Sequence, residues 1–94
     1  MKMNEIPYVS HHAQSRAAER YGIPATPAIW ADAVLRILDA VEGKPRALLL
    51  RRYNSGIELW LVKLGGVDVR MVWSPATGCV VTVLERAQGT PGRA

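Results

Sequence analysis

The chain has 94 residues, 49% of them hydrophobic and 21% charged, which describes one folded domain with a two-layer core and excludes both a disordered segment and a pair of separate catalytic and binding modules. Twelve Lys and Arg against eight Asp and Glu give a formal charge of +4, and nine of the twelve are Arg, whose planar fork suits phosphate or carboxylate. An anionic partner is the expectation; the plainer alternative is that the charge serves solubility. Cys79 is the only cysteine, so a disulfide framework and a thiolate metal cluster are excluded and a reducing compartment, the cytoplasm, is expected. The opening MKMNEIPYVS lacks the apolar stretch of a secretory signal, and no apolar run approaches the ~20 residues that cross a bilayer, so no membrane partner is expected.

Residues 1–9 form a lead-in with one Pro and no periodicity, to which no function is assigned. In Ser10 to Ile23, SHHAQSRAAERYGI, Ser10 fits an N-cap, the helix is predicted to run to about Tyr21, and Gly22 supplies the stop. His12, Arg16 and Arg20 then line one face at successive turns, while Ala13, Ala17 and Tyr21 form the adjoining stripe, small enough to lie close on a sheet. Thr26 and Pro27 fit the N-cap and first position of a second helix that reaches about Glu42. Ile29, Trp30, Ala33, Val34, Ile37, Leu38 and Val41 recur at helical spacing. Trp30 on this apolar face reads as packing, although a stacking platform is the other use of an indole.

After Gly43-Lys44-Pro45 the period changes to that of strands. Ala47 to Tyr53 and Ile57 to Leu64 read as a hairpin around Asn54-Ser55-Gly56, Gly65-Gly66 turns into Val67 to Trp73, and Pro75 to Gly78 turns into Cys79 to Glu85. In the second strand Ile57, Leu59 and Leu61 alternate with Glu58, Trp60 and Val62; in the third Val67, Val69, Met71 and Trp73 alternate with Asp68, Arg70, Val72 and Ser74. The first set in each strand is expected to take the helices, which leaves Glu58, Trp60, Asp68 and Arg70 on the open side. The fold class is therefore α+β, two N-terminal helices packed on a four-stranded antiparallel meander sheet. A single domain is expected over residues 10–86, followed by a disordered tail over 87–94.

The run Ser-x-His-Ala, then Arg16, Arg20, Gly22 and Ile23, a helix, a meander and a closing Val-Val-Thr-Val-Leu resembles the small RelE-like and colicin-like ribonuclease toxins, and more narrowly a toxin-like family that opens with a His-Ala-x-x-Arg helix. The resemblance spans roughly Ser10 to Glu85. It implies an endoribonuclease that needs neither metal nor cofactor and cleaves RNA by attack of the ribose 2′-OH on the adjacent phosphate. Its partners would be RNA and an antitoxin or other acidic protein, as in a phage or mobile element.

In that chemistry His12 is the candidate for proton exchange, and Arg16 and Arg20 are candidates for holding the phosphate oxygens. His11 ranks second, because it points about 100° round the helix from the arginine stripe. Arg70 is the companion on the sheet, with Trp60 and Thr82 on neighbouring strands to offer a nucleotide a π-face and a hydroxyl. Arg51 and Arg52 face opposite sides, so that one of them, Arg52, can join a basic face. A structural reading stands beside each role: His12 capping the first turn, Arg16 pairing with Glu19, and Cys79 as inert core. The last two strands carry neither Lys nor His, which leaves a second class of function open, a non-catalytic module that binds RNA or an acidic protein through the same stripe.

Overall fold

The computed structural model describes residues 6–23 and 26–85; the tail expected over 87–94 lies outside the described residues. Helix α1 spans His11–Tyr21 and starts where Ser10, in extended backbone, accepts the Ala13 N–H on its hydroxyl at 3.0 Å. The same hydroxyl donates to the Val81 carbonyl at 2.7 Å, so one side chain both caps the helix and fastens it to the sheet. Gly22 closes α1 in the left-handed conformation, φ 64°, and returns its N–H to the Ala18 carbonyl at 3.0 Å, a bond an L-residue would make at a steric cost. Helix α2 spans Pro27–Val41, with Thr26 accepting from the Ile29 N–H at 3.4 Å and Pro27 in the first turn.

Strands β1 (Leu48–Arg52), β2 (Glu58–Leu64), β3 (Val67–Ser74) and β4 (Cys79–Val83) form one antiparallel sheet in the order β1-β2-β3-β4. This is the expected meander. Helix α1 lies along β4 and α2 along β2, because fully buried Ala13 and Ala17 let α1 approach closely and Trp30, Ala33, Val34 and Ile37 turn the apolar arc of α2 onto the sheet. Met71, Val62, Leu64, Val69, Val80 and Val83 fill the floor beneath them.

The lead-in is part of the fold where it is described. Ile6 and Val9 are buried, Val80 donates to the Tyr8 carbonyl at 2.8 Å, and Ser10 donates to the Val80 carbonyl at 3.0 Å. This short segment satisfies the outer edge of β4, which would otherwise present unpaired groups.

The two faces of β2 are the reverse of the expectation. Glu58, Trp60, Val62 and Leu64 stand opposite Trp73, Met71, Val69 and Val67, and directly opposed residues share a face. Trp60 and Glu58 are therefore buried under the helices, 4% and 7% exposed, and Leu59 and Leu61 lie on the open side with Val72 and Arg70. In β3 the expected division holds, with Val69, Met71 and Trp73 toward the helices. Buried Glu58 accepts the Trp60 indole N–H on Oε1 at 3.0 Å and the Arg52 Nε–H on Oε2 at 3.1 Å, so each carboxylate oxygen has a partner.

Candidate nucleic-acid interface

Helix α1 places His12, Arg16 and Arg20 on one side at successive turns, with about 6 Å of rise between neighbours. His12 and Arg20 thus stand about 12 Å apart along the axis, too far to hold one phosphate together. Arg16 is ion-paired with Glu19 one turn on, the surface arrangement weighed for it above. His12 is exposed at the first turn, and no described side chain pairs with it. His11 is exposed beside it.

Arg20 reaches further. Its guanidinium donates to the Val83 carbonyl at 3.0 Å, while the next residue, Tyr21, donates its hydroxyl to the Leu84 carbonyl at 2.9 Å. From the sheet, the Arg70 N–H reaches the Tyr21 oxygen at 3.4 Å, and the Arg70 guanidinium donates to the Glu85 carbonyl at 3.1 Å. Two arginines from different elements thus clasp one three-residue stretch at the exit of β4, with a tyrosine between them. A guanidinium carries five donors, so one bond to a carbonyl orients each group and leaves its other N–H groups outward.

Charge balance separates these arginines from the rest. Arg16, Arg36, Lys44, Arg46, Arg52 and Lys63 each have a carboxylate within 4 Å. Among the described residues, the cations without one are Arg20, Arg70 and Arg51, the last set over the Tyr53 ring at 5.0 Å on the open face. Two arginines with no carboxylate within 4 Å thus hold carbonyls two residues apart at the end of β4.

The remaining candidates divide between the two faces. Thr82 pairs with Val72 across β3 and β4 and is half-buried, so it lies on the open side near Arg70. Trp60 points the other way, into the core, and offers no stacking face to a ligand at Arg70. Arg52 closes the helix-side groove near Glu58 at the opposite end of the sheet, away from Arg20 and Arg70. Tyr21, read in the sequence as a packing residue, belongs to the clasp; its place on the Ala13–Ala17 stripe, one turn beyond Ala17 toward the sheet, is the signal that could have marked it. Cys79 is half-buried and its thiol approaches only the Val80 carbonyl, at 3.4 Å. Among the described residues no three His, Cys, Asp or Glu side chains gather to hold a metal ion, and no helix is long and apolar enough to cross a membrane. Comparison with family models, with curated proteins and with solved structures finds no match, so the likeness to ribonuclease toxins rests on the residues quoted for it alone.

Proposed function

We propose that the chain is a small RNA-binding domain whose contact surface is the α1–β4 margin, with Arg20 and Arg70 as the main phosphate contacts and Arg16, Thr82 and the exposed histidines beside them. The observation that carries this reading is the meeting of two uncompensated arginines at Val83–Glu85. Both are oriented in advance by backbone carbonyls, so less side-chain entropy is lost when a phosphate takes the outward N–H groups. Affinity for a single-stranded RNA oligonucleotide, followed by fluorescence anisotropy, should fall linearly in log–log form as salt rises. Each phosphate-bound arginine contributes about 0.7 to that slope on a single strand, so the Arg20→Ala/Arg70→Ala variant should lose about 1.4. Arg36→Ala, which removes a cation already paired on α2, should leave the slope unchanged. Loss of slope in the Arg36 variant, or none in the double variant, would refute the assignment.

A second reading, metal-independent cleavage of the bound RNA, is favoured by His12, an exposed imidazole one turn from Arg16. General acid–base help from one placed group is worth about 10² to 10⁴ in rate, so His12→Ala should cost at least the lower figure while RNA affinity stays the same. His11→Ala should be mild. Intact RNA after incubation with protein that binds it would remove the cleavage reading and leave the binding domain standing.

A further inference from the structure

Arg51 and Arg52 are neighbours in β1 with opposite surroundings. Arg52 stands opposite Glu58, whose carboxylate holds its guanidinium at 3.1 Å on the helix side of the sheet. Arg51 stands opposite Leu59 on the other face. It is exposed, lies over the ring of Tyr53 at 5.0 Å, and has no carboxylate of the described residues within 4 Å. An arginine resting on an aromatic ring is restrained without being neutralised.

Register places this pair on the same surface as Arg70. Arg51, Leu59, Val72 and Thr82 form one row across the open face, and Arg70 stands in the next row, opposite Leu61. With strands about 4.8 Å apart and a rise of about 3.4 Å per residue, the Cα atoms of Arg51 and Arg70 are about 12 Å apart. That is the length of roughly three to four nucleotides of a strand stacked at about 3.4 Å each. Lys63, also on this face, is neutralised by Asp68 at 3.0 Å. Among the described residues, the cations left without a carboxylate therefore trace one line, from Arg20 to Arg70 at the β4 margin and on to Arg51.

We propose that a single RNA strand held at Arg20 and Arg70 crosses the open face of the sheet to β1, where one of its bases stacks on the Arg51 guanidinium, with Tyr53 as the positioning residue beneath. The inference rests on the RNA-binding reading above and adds to it a base site and a path. Surfaces that hold single strands combine a cationic track for the phosphates with planar side chains for the bases, and a guanidinium plane is such a platform. Arg20 and Arg70 supply the first, and the Arg51–Tyr53 pair supplies the second. In a duplex the bases already stack on one another, so the site selects unpaired RNA. Stacking reads no base edge, so it accepts many sequences.

Fluorescence anisotropy with a short oligouridine, and with an abasic strand of the same length that keeps the ribose-phosphate chain but lacks the bases, tests the site. The wild type should bind oligouridine at least about fivefold more tightly than the abasic strand. Arg51→Lys, which keeps the charge and loses the plane, should remove that preference and leave the salt slope unchanged. Tyr53→Leu, which alters no charge, should reduce the preference in the same direction. Both side chains lie outside the buried core, so both variants should fold, which thermal unfolding checks. Equal wild-type affinity for the two strands, or a preference that survives Arg51→Lys, would overturn the base site. Loss of salt slope in the Arg20→Ala/Arg70→Ala variant would then show that the phosphate contacts stand without it, and an unchanged slope would remove both readings.

Discussion

Ser10 concentrates two functions in one hydroxyl, and its replacement distinguishes them. As an acceptor it binds the Ala13 N–H at 3.0 Å; as a donor it binds the Val81 carbonyl at 2.7 Å. Loss of an N-cap costs about 1 kcal/mol, and loss of a neutral hydrogen bond to a carbonyl about 0.5–1.5 kcal/mol. Because Ser10 is half-exposed and water can replace part of both bonds, Ser10→Ala should cost about 1.5–2 kcal/mol. In a domain of this size that is a fall of about 6–16 °C in thermal midpoint. Asp is as good an N-cap as Ser in general, yet here its carboxylate has no proton for Val81 and would face a carbonyl oxygen. Ser10→Asp should therefore be nearly as damaging as Ala, whereas Ser10→Thr, which keeps donor and acceptor, should stay close to wild type. Thermal unfolding followed by circular dichroism measures all three. A Ser10→Asp variant as stable as the parent would show that the hydroxyl acts only as a cap and that the bond to β4 contributes nothing.

Trp60→Phe keeps a ring in the core but removes the N–H that Glu58 accepts; it should cost about 1–3 kcal/mol by urea unfolding and leave the salt slope of RNA binding unaltered, and a drop in RNA affinity instead would mean that the indole contacts ligand. Gly65→Ala places a Cβ at ordinary contact distance, 3.5 Å from Ile23 Cγ2, on a backbone with φ of +60°, so its cost is the left-handed conformation alone, about 1–2 kcal/mol, with Gly65→Asn milder; a much larger loss would show that the hairpin and the α1–α2 connection are packed more tightly than this spacing indicates.

The ends of both helices were legible because capping is local chemistry. Ser10, Gly22, Thr26 and Pro27 act within four residues of themselves in sequence. The strand order was legible from short turns, since Gly65 and Gly66 with φ of 60° and 86° make a two-residue connection that allows only adjacent antiparallel strands. The facing of β2 is not legible from polarity, because ELWLVKL is apolar at both parities and Glu58, a charged residue, is buried. The decisive sign lay in the turn. A two-residue loop makes Leu64 and Val67 directly opposite, so even-numbered residues of β2 must share a face with the odd, apolar set of β3, and Lys63 rather than Glu58 marks the open side. Register carries more information than polarity when a buried carboxylate has two donors of its own.

The clasp at the end of β4 was beyond such reasoning, because it joins side chains to backbone carbonyls far along the chain: Arg20 to Val83 across 63 residues and Arg70 to Glu85 across 15. No periodicity predicts which carbonyls a strand leaves unpaired as it exits a sheet. β4 ends at Val83, and past that point the ladder no longer satisfies every carbonyl on both sides, so the Val83, Leu84 and Glu85 oxygens accept from Arg20, Tyr21 and Arg70. Orphan acceptors at a strand end therefore recruit the same donors that a phosphate would, and they do so without neutralising them. A carboxylate partner would have cancelled these charges, as Glu19 does for Arg16; a carbonyl fixes their direction and leaves the charge intact. That difference makes the β4 exit, rather than the middle of the α1 stripe, the part of this surface best prepared for an anion.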